Sequence, residues 1–180
     1  MAPTDLEARA RLAYELGRLR DSAQLALLVL PLAALALFIG RPTPLVAGVS
    51  AVLACAAVGL AFARTQHQRA VLAGLCAAVP PLLLPYAVRA FGHLCTAEVC
   101  TNWCLPACLG AGAIAGVFIG LRTAGQSRGR WSYCLVALLV AALGGSLGCT
   151  LAGTAGIWGM MAGLAAGTMP LVLRAEARVG

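Results

Sequence analysis

Hydrophobic and polar positions in this chain fall into long blocks, not short alternations. Apolar runs cover roughly Ala23–Ile39, Leu45–Ala63, Ala70–Val88, Cys104–Leu121, Trp131–Leu147 and Leu151–Leu173. Each approaches the roughly 20 residues a helix needs to cross about 30 Å of hydrocarbon. Helices are expected, because an open sheet leaves backbone polar groups unpaired in lipid. The pattern predicts an all-α polytopic membrane protein with six transmembrane helices. A polar segment, 1–22, precedes a membrane domain, 23–173, and a short tail, 174–180, follows it.

The polar blocks carry an orientation signal. Taken alternately, one set of connections holds Arg9, Arg11, Arg18 and Arg20, then Arg64 and Arg69, then Arg122, Arg128 and Arg130, and last Arg174 and Arg178. The other set holds only Arg41 and Arg89. The positive-inside rule therefore puts both termini in the cytoplasm. The net charge of +7 reads as topology and attraction to anionic lipid, with no direct nucleic-acid contact. Composition agrees, with 61% hydrophobic and 11% charged residues and a mean hydropathy of +0.90. No cleavable signal peptide is expected, because the polar segment before the first run is long and of mixed charge.

The segment Pro3–Gln24 reads as a helix that Thr4 or Asp5 would cap. Leu6, Arg9, Ala13, Leu16, Leu19 and Arg20 lie roughly on one face, and Leu12 widens that stripe. Such a helix either extends the first span or lies on the membrane surface. It also suits docking of a cytoplasmic partner, with leucines in a groove and arginines at its rim.

Cysteines gather at the other side. Cys95, Cys100 and Cys104 lie between the third and fourth spans, Cys108 follows one turn on, and Cys149 sits between the fifth and sixth. Three chemistries compete. Disulfides are common outside the cytoplasm, and Cys104–Cys149 and Cys95–Cys100 are candidate bridges. His93, Cys95, Cys100, Cys104 and Cys108 offer thiolates and an imidazole suited to zinc or copper(I). Redox exchange is the third, although no Cys-x-x-Cys pair is present. Cys55, Cys76 and Cys134 fall inside spans and read as small packing residues.

The spans hold no midplane Asp, Glu, Lys or Arg, which argues against a proton-coupled carrier. Pro80, Pro81 and Pro85 are expected to kink or end the third span. No Ser-His-Asp set, His-Glu-x-x-His or carboxylate pair appears, so an enzyme is not expected. Gly112, Gly116 and Gly120, and again Gly159, Gly163 and Gly167, form stripes at a spacing of four. Such stripes bring helices backbone to backbone, in a compact bundle or in a homo-dimer.

Several short motifs are similar to a known group. Ile39-Gly40-Arg41-Pro42 matches its tight turn after span one, and Trp103-Cys104-Leu105 its start of span four, with Trp and Cys adjacent here. A Gly/Ala-rich fifth span, Trp131–Gly148, runs into Cys149, followed by Trp158 and then Gly163 or Gly167. The chain thus resembles the six-span bacterial membrane anti-sigma factors, of the sigma F negative-regulator and myxobacterial carotenoid-regulator type. The group's His-Cys-Pro-like motif is replaced here by Gly148-Cys149-Thr150. The resemblance implies sequestration of an extracytoplasmic-function sigma factor by the N-terminal helix, with Cys104 and Cys149 as the outer pair for structure or sensing. Cys95, Cys100 and Cys108 are additions to the pattern. The alternatives are a small carrier of a thiophilic metal ion and a structural subunit of a membrane complex.

Overall fold

The computed structural model describes residues 3–38, 40–63, 65–91, 97–126, 129–149 and 153–177, with the side chains of 3–6, 65–66, 89–91 and 97–104 left aside. Among the described residues seven helices follow one another: α1 (Pro3–Leu27), α2 (Val29–Phe38), α3 (Thr43–Ala63), α4 (Thr65–Phe91), α5 (Ala97–Ala124), α6 (Arg130–Cys149) and α7 (Gly153–Ala177). Six helical segments are long and apolar enough to span a membrane, α1 and α2 together making the first. The chain is an all-α, six-span membrane protein.

The polar N-terminal segment is not a separate element, since α1 runs from Pro3 to Leu27. It starts before the expected caps Thr4 and Asp5, because a proline at the first helical position sacrifices a backbone N–H that would be unpaired anyway. The joint between α1 and α2 falls at Leu28, whose N–H reaches only to the Leu25 carbonyl at 3.1 Å. Pro31 explains it, since this residue offers no N–H to the carbonyl of Leu27, four residues back.

The turn after α2 is a Schellman motif. The Gly40 N–H bonds the Leu37 carbonyl at 2.9 Å and the Arg41 N–H bonds the Ala36 carbonyl at 3.2 Å. Gly40 has φ +83°, a conformation that a side chain resists. The Pro42 carbonyl then accepts from the N–H groups of Leu45 and Val46 and opens α3.

Two corrections to the sequence pattern concern α4 and α5. Pro80, Pro81 and Pro85 do not end the third span, because α4 continues to Phe91. Neighbouring helices support the backbone groups the prolines release. The expected loop before the fourth span is also shorter, since α5 already begins at Ala97. Glu98 in its first turn suits the positive end of the helix dipole.

Packing is tightest in two helix pairs, α5 with α7 and α4 with α6, joined by α4 against α5. Among the largest fully buried side chains are Leu53, Leu82, Ile119, Leu147 and Met160. Within lipid there is no hydrophobic drive between spans, so close approach and hydrogen bonds must hold them. The glycine stripes supply the approach. A Cβ at Gly112 or Gly116 would collide with the backbone of Met160 or Leu164, and one at Gly163 or Gly167 with Leu109 or Ala113. Gly120 faces Leu171 and Gly159 faces Leu105. Thr168 adds a buried bond from its hydroxyl to the Gly116 carbonyl, 3.0 Å long. Both stripes thus face each other inside one copy of the chain.

Candidate functional site

Strict alternation of the spans separates two ends. At one end the Arg18 guanidinium donates to the Phe62 carbonyl near the end of α3. There too His67 pairs with Ser132 at 2.8 Å, and the Trp131 indole donates to Glu176 at 2.5 Å. This end carries the N-terminal helix and nearly all the arginines.

The first span is longer than a bilayer requires. Glu7–Phe38 has 32 residues, or about 48 Å against about 30 Å of hydrocarbon. The excess of roughly 18 Å equals about 12 residues, which places the boundary close to Arg18. Independent contacts mark the same level. Besides bonding its carbonyl, Arg18 lies 4.9 Å from the Phe62 ring centre and 5.7 Å from that of Tyr14. One turn further along, the buried Ser22 hydroxyl bonds back to the Arg18 carbonyl at 2.8 Å. The part of α1 before Arg18 therefore stands beyond the bundle.

On that projecting part Leu12 is 59% exposed and Leu16 56%, with Leu19 at the boundary also exposed. Spaced by four and three, they form a stripe offset around the helix from Arg18, which meets α3. Arg9 continues it and is exposed. Leu6 belongs to the same predicted stripe, and its side chain lies outside the described set.

The opposite end is organised around Arg41 and Cys149. The last carbonyls of a helix have no partner within it. Arg41 Nε donates to Leu147 O at 2.9 Å, and Nη2 to Gly148 O, also at 2.9 Å. A cation is thus held at the negative end of the α6 dipole. The Schellman turn at Gly40 sets the backbone from which Arg41 reaches it. This gives Arg41, one of two exceptions to the charge bias, a structural role that charge counting could not reveal.

Cys149 is fully buried. Its thiol lies 3.7 Å from the Pro81 carbonyl. That carbonyl lacks an intrahelical partner, because the residue four positions on is Pro85, without an N–H. The thiol therefore serves a backbone group that a proline has released. Gly145 and Gly148 let α6 approach, since a Cβ at either would strike Pro81. Cys108, buried on α5, lies next to Cys149.

The remaining cysteines divide. Cys134 is buried, whereas Cys55 and Cys76 lie on the outside of the bundle and do not fill its core. His93 and Cys95 lie outside the described residues, as do the side chains of Cys100 and Cys104. Cys108 alone of the proposed zinc or copper(I) set has a described side chain, and it faces Cys149. Among the described residues no group of three or more His, Cys, Asp or Glu side chains converges on one point.

Compared with protein-family models, curated proteins and solved structures, the chain matches none.

Proposed function

We propose that the protein is a membrane-embedded regulator that holds a cytoplasmic protein through α1. The observation that carries this reading is the exposed stripe of Leu12 and Leu16 on a helix that projects beyond its own bundle. A long helix serving only as a membrane anchor needs no such extension, and leucines left in water favour a groove that covers them. The resemblance to six-span anti-sigma factors suggests an extracytoplasmic-function sigma factor as the partner, and the charge bias favours a cytoplasmic arginine-rich end. The protein then acts by binding, not by catalysis.

Signal transfer in this reading runs along the first span. Its far end leads into Arg41, which is tied to the end of α6 beside Cys149. A change at the outer cysteines that moves the end of α6 also pulls on the span that carries the docking helix. For this to regulate, the partner must bind the two arrangements with different affinity.

The test is affinity capture of the full-length protein in mild detergent, beside a copy lacking Met1–Arg20 and a Leu12→Asp/Leu16→Asp variant. A sigma factor retained by the full-length protein alone supports the reading. Burying two leucines contributes about 3 kcal/mol or more, so the double variant loses on the order of 100-fold in affinity. Absence of a soluble partner from every sample overturns the proposal in favour of a metal carrier or structural subunit.

A further inference from the structure

A cavity of about 390 Å³ opens between α4, α5 and α6 at the arginine-rich end. Its polar part is formed by Arg69, Arg122, Gln126 and Tyr133. Below these lie Leu72, Cys76 and Phe118, further into the spans. The lining is built by helical periodicity. Arg69, Leu72 and Cys76 share one face of α4, Phe118 and Arg122 one face of α5, and Gln126 follows just after the end of α5. Cations therefore stand over an apolar floor, at the level where the spans leave the hydrocarbon.

Both guanidiniums line the cavity, and among the described residues no carboxylate lines it. Arg122 rests on the Phe118 ring, 5.2 Å from its centre, which fixes the cation and leaves its N–H donors available. The Tyr133 side chain is buried and reaches the Arg69 carbonyl at 3.4 Å. Leu72, at 45% exposure, opens the apolar part to the surroundings of the bundle.

We propose that this cavity binds the phosphate of an anionic phospholipid, with the first segment of an acyl chain along Leu72, Cys76 and Phe118. A phosphate diester supplies the charge that two arginines lack. An apolar tail explains why the cavity continues down the spans, and basic pockets between spans are suited to such headgroups. Free phosphate shares the headgroup chemistry but makes no use of the apolar floor. The proposal is independent of the partner held by α1.

Native mass spectrometry of the full-length protein in mild detergent tests it, with phosphatidylglycerol, phosphatidylcholine and inorganic phosphate as probes. Phosphatidylglycerol is expected to bind at least tenfold more tightly than phosphatidylcholine. Arg69→Gln and Arg122→Gln should each lower its affinity roughly fivefold, the effect of one cation near a charged headgroup. The Arg9→Gln control should change it by less than twofold. Unaltered wild-type protein gives a second readout, because phosphatidylglycerol should slow alkylation of Cys76 more than phosphatidylcholine does. Equal binding of the two lipids, or equal Cys76 protection, overturns the proposal. Displacement of the lipid by millimolar inorganic phosphate overturns the lipid assignment in favour of a free anion.

Discussion

Replacing Arg41 by alanine removes both side-chain donors from the end of α6. The Leu147 and Gly148 carbonyls each accept at 2.9 Å. Hydrogen bonds from a charged donor contribute roughly 1.5–3 kcal/mol each. Arg41 is half-buried at the end of the bundle, where water can replace part of what is lost. A net loss of about 2 kcal/mol is therefore expected, including the dipole interaction. In a domain of this size each kcal/mol moves the midpoint about 2–4 °C, so Tm should fall by about 4–8 °C.

Tryptophan fluorescence during heating in mild detergent is the assay. Arg41→Lys separates charge from shape, because an ammonium is a point charge and lacks the planar fork that spans two successive carbonyls. It should recover about half of the loss. Arg9→Ala removes an exposed arginine from the projecting helix and should move Tm by no more than about 1 °C. If Arg41→Ala behaves like Arg9→Ala, Arg41 does not hold α6, and the proposed link from that end to the N-terminal helix fails with it.

Three further outcomes follow from the packing. Cys149→Ala strands the Pro81 carbonyl and should lower Tm by about 2–4 °C, for about 1 kcal/mol, whereas Cys149→Ser retains a donor and much of the stability; equal losses would show that the thiol is not the donor. Gly163→Val forces α7 off the backbone of Leu109 and Ala113, where no rotamer change relieves the contact, and should cost about 3 kcal/mol or prevent folding. Gly59→Ala meets nothing within 4 Å and should leave Tm unchanged or slightly higher, so a similar fall in both glycine variants would refute the close-approach argument.

The spans were legible in the sequence because lipid imposes a length and an apolar composition on any helix that crosses it. The glycine stripes were equally legible as contact surfaces, but their partner was not. A spacing of four describes one helix face and says nothing of which helix meets it, and here α5 meets α7 within the chain. Arg41 and Cys149 were hidden for a similar reason. Each serves a backbone carbonyl far away in sequence, and backbone demand is created by helix ends and prolines in other segments. Pro85 carries the only sequence signal for the Cys149 contact, since it announces an unpaired carbonyl at Pro81 without saying what fills it. The cavity at Arg69 and Arg122 was read as charge bias alone. Its meaning depends on Arg69, on Phe118 with Arg122, and on Tyr133 being brought to one cavity by three different helices.

The distribution of close contacts also bears on the proposed coupling between the two ends of the bundle. Glycines lock α5 to α7 and α4 to α6 through backbone contact, which leaves those pairs little room to shift. The first span has no such glycine contact. It leans on α3 and is fastened near its two ends, by Arg18 at Phe62 and by Arg41 at α6. Its middle carries the Leu28 joint, where the helical hydrogen-bond ladder is already interrupted by Pro31. A span held at both ends and broken between them can tilt without repacking the glycine core. The helix with the exposed leucines is thus mounted on a span without close glycine contacts among the described residues, and the outer fastening of that span lies beside Cys149.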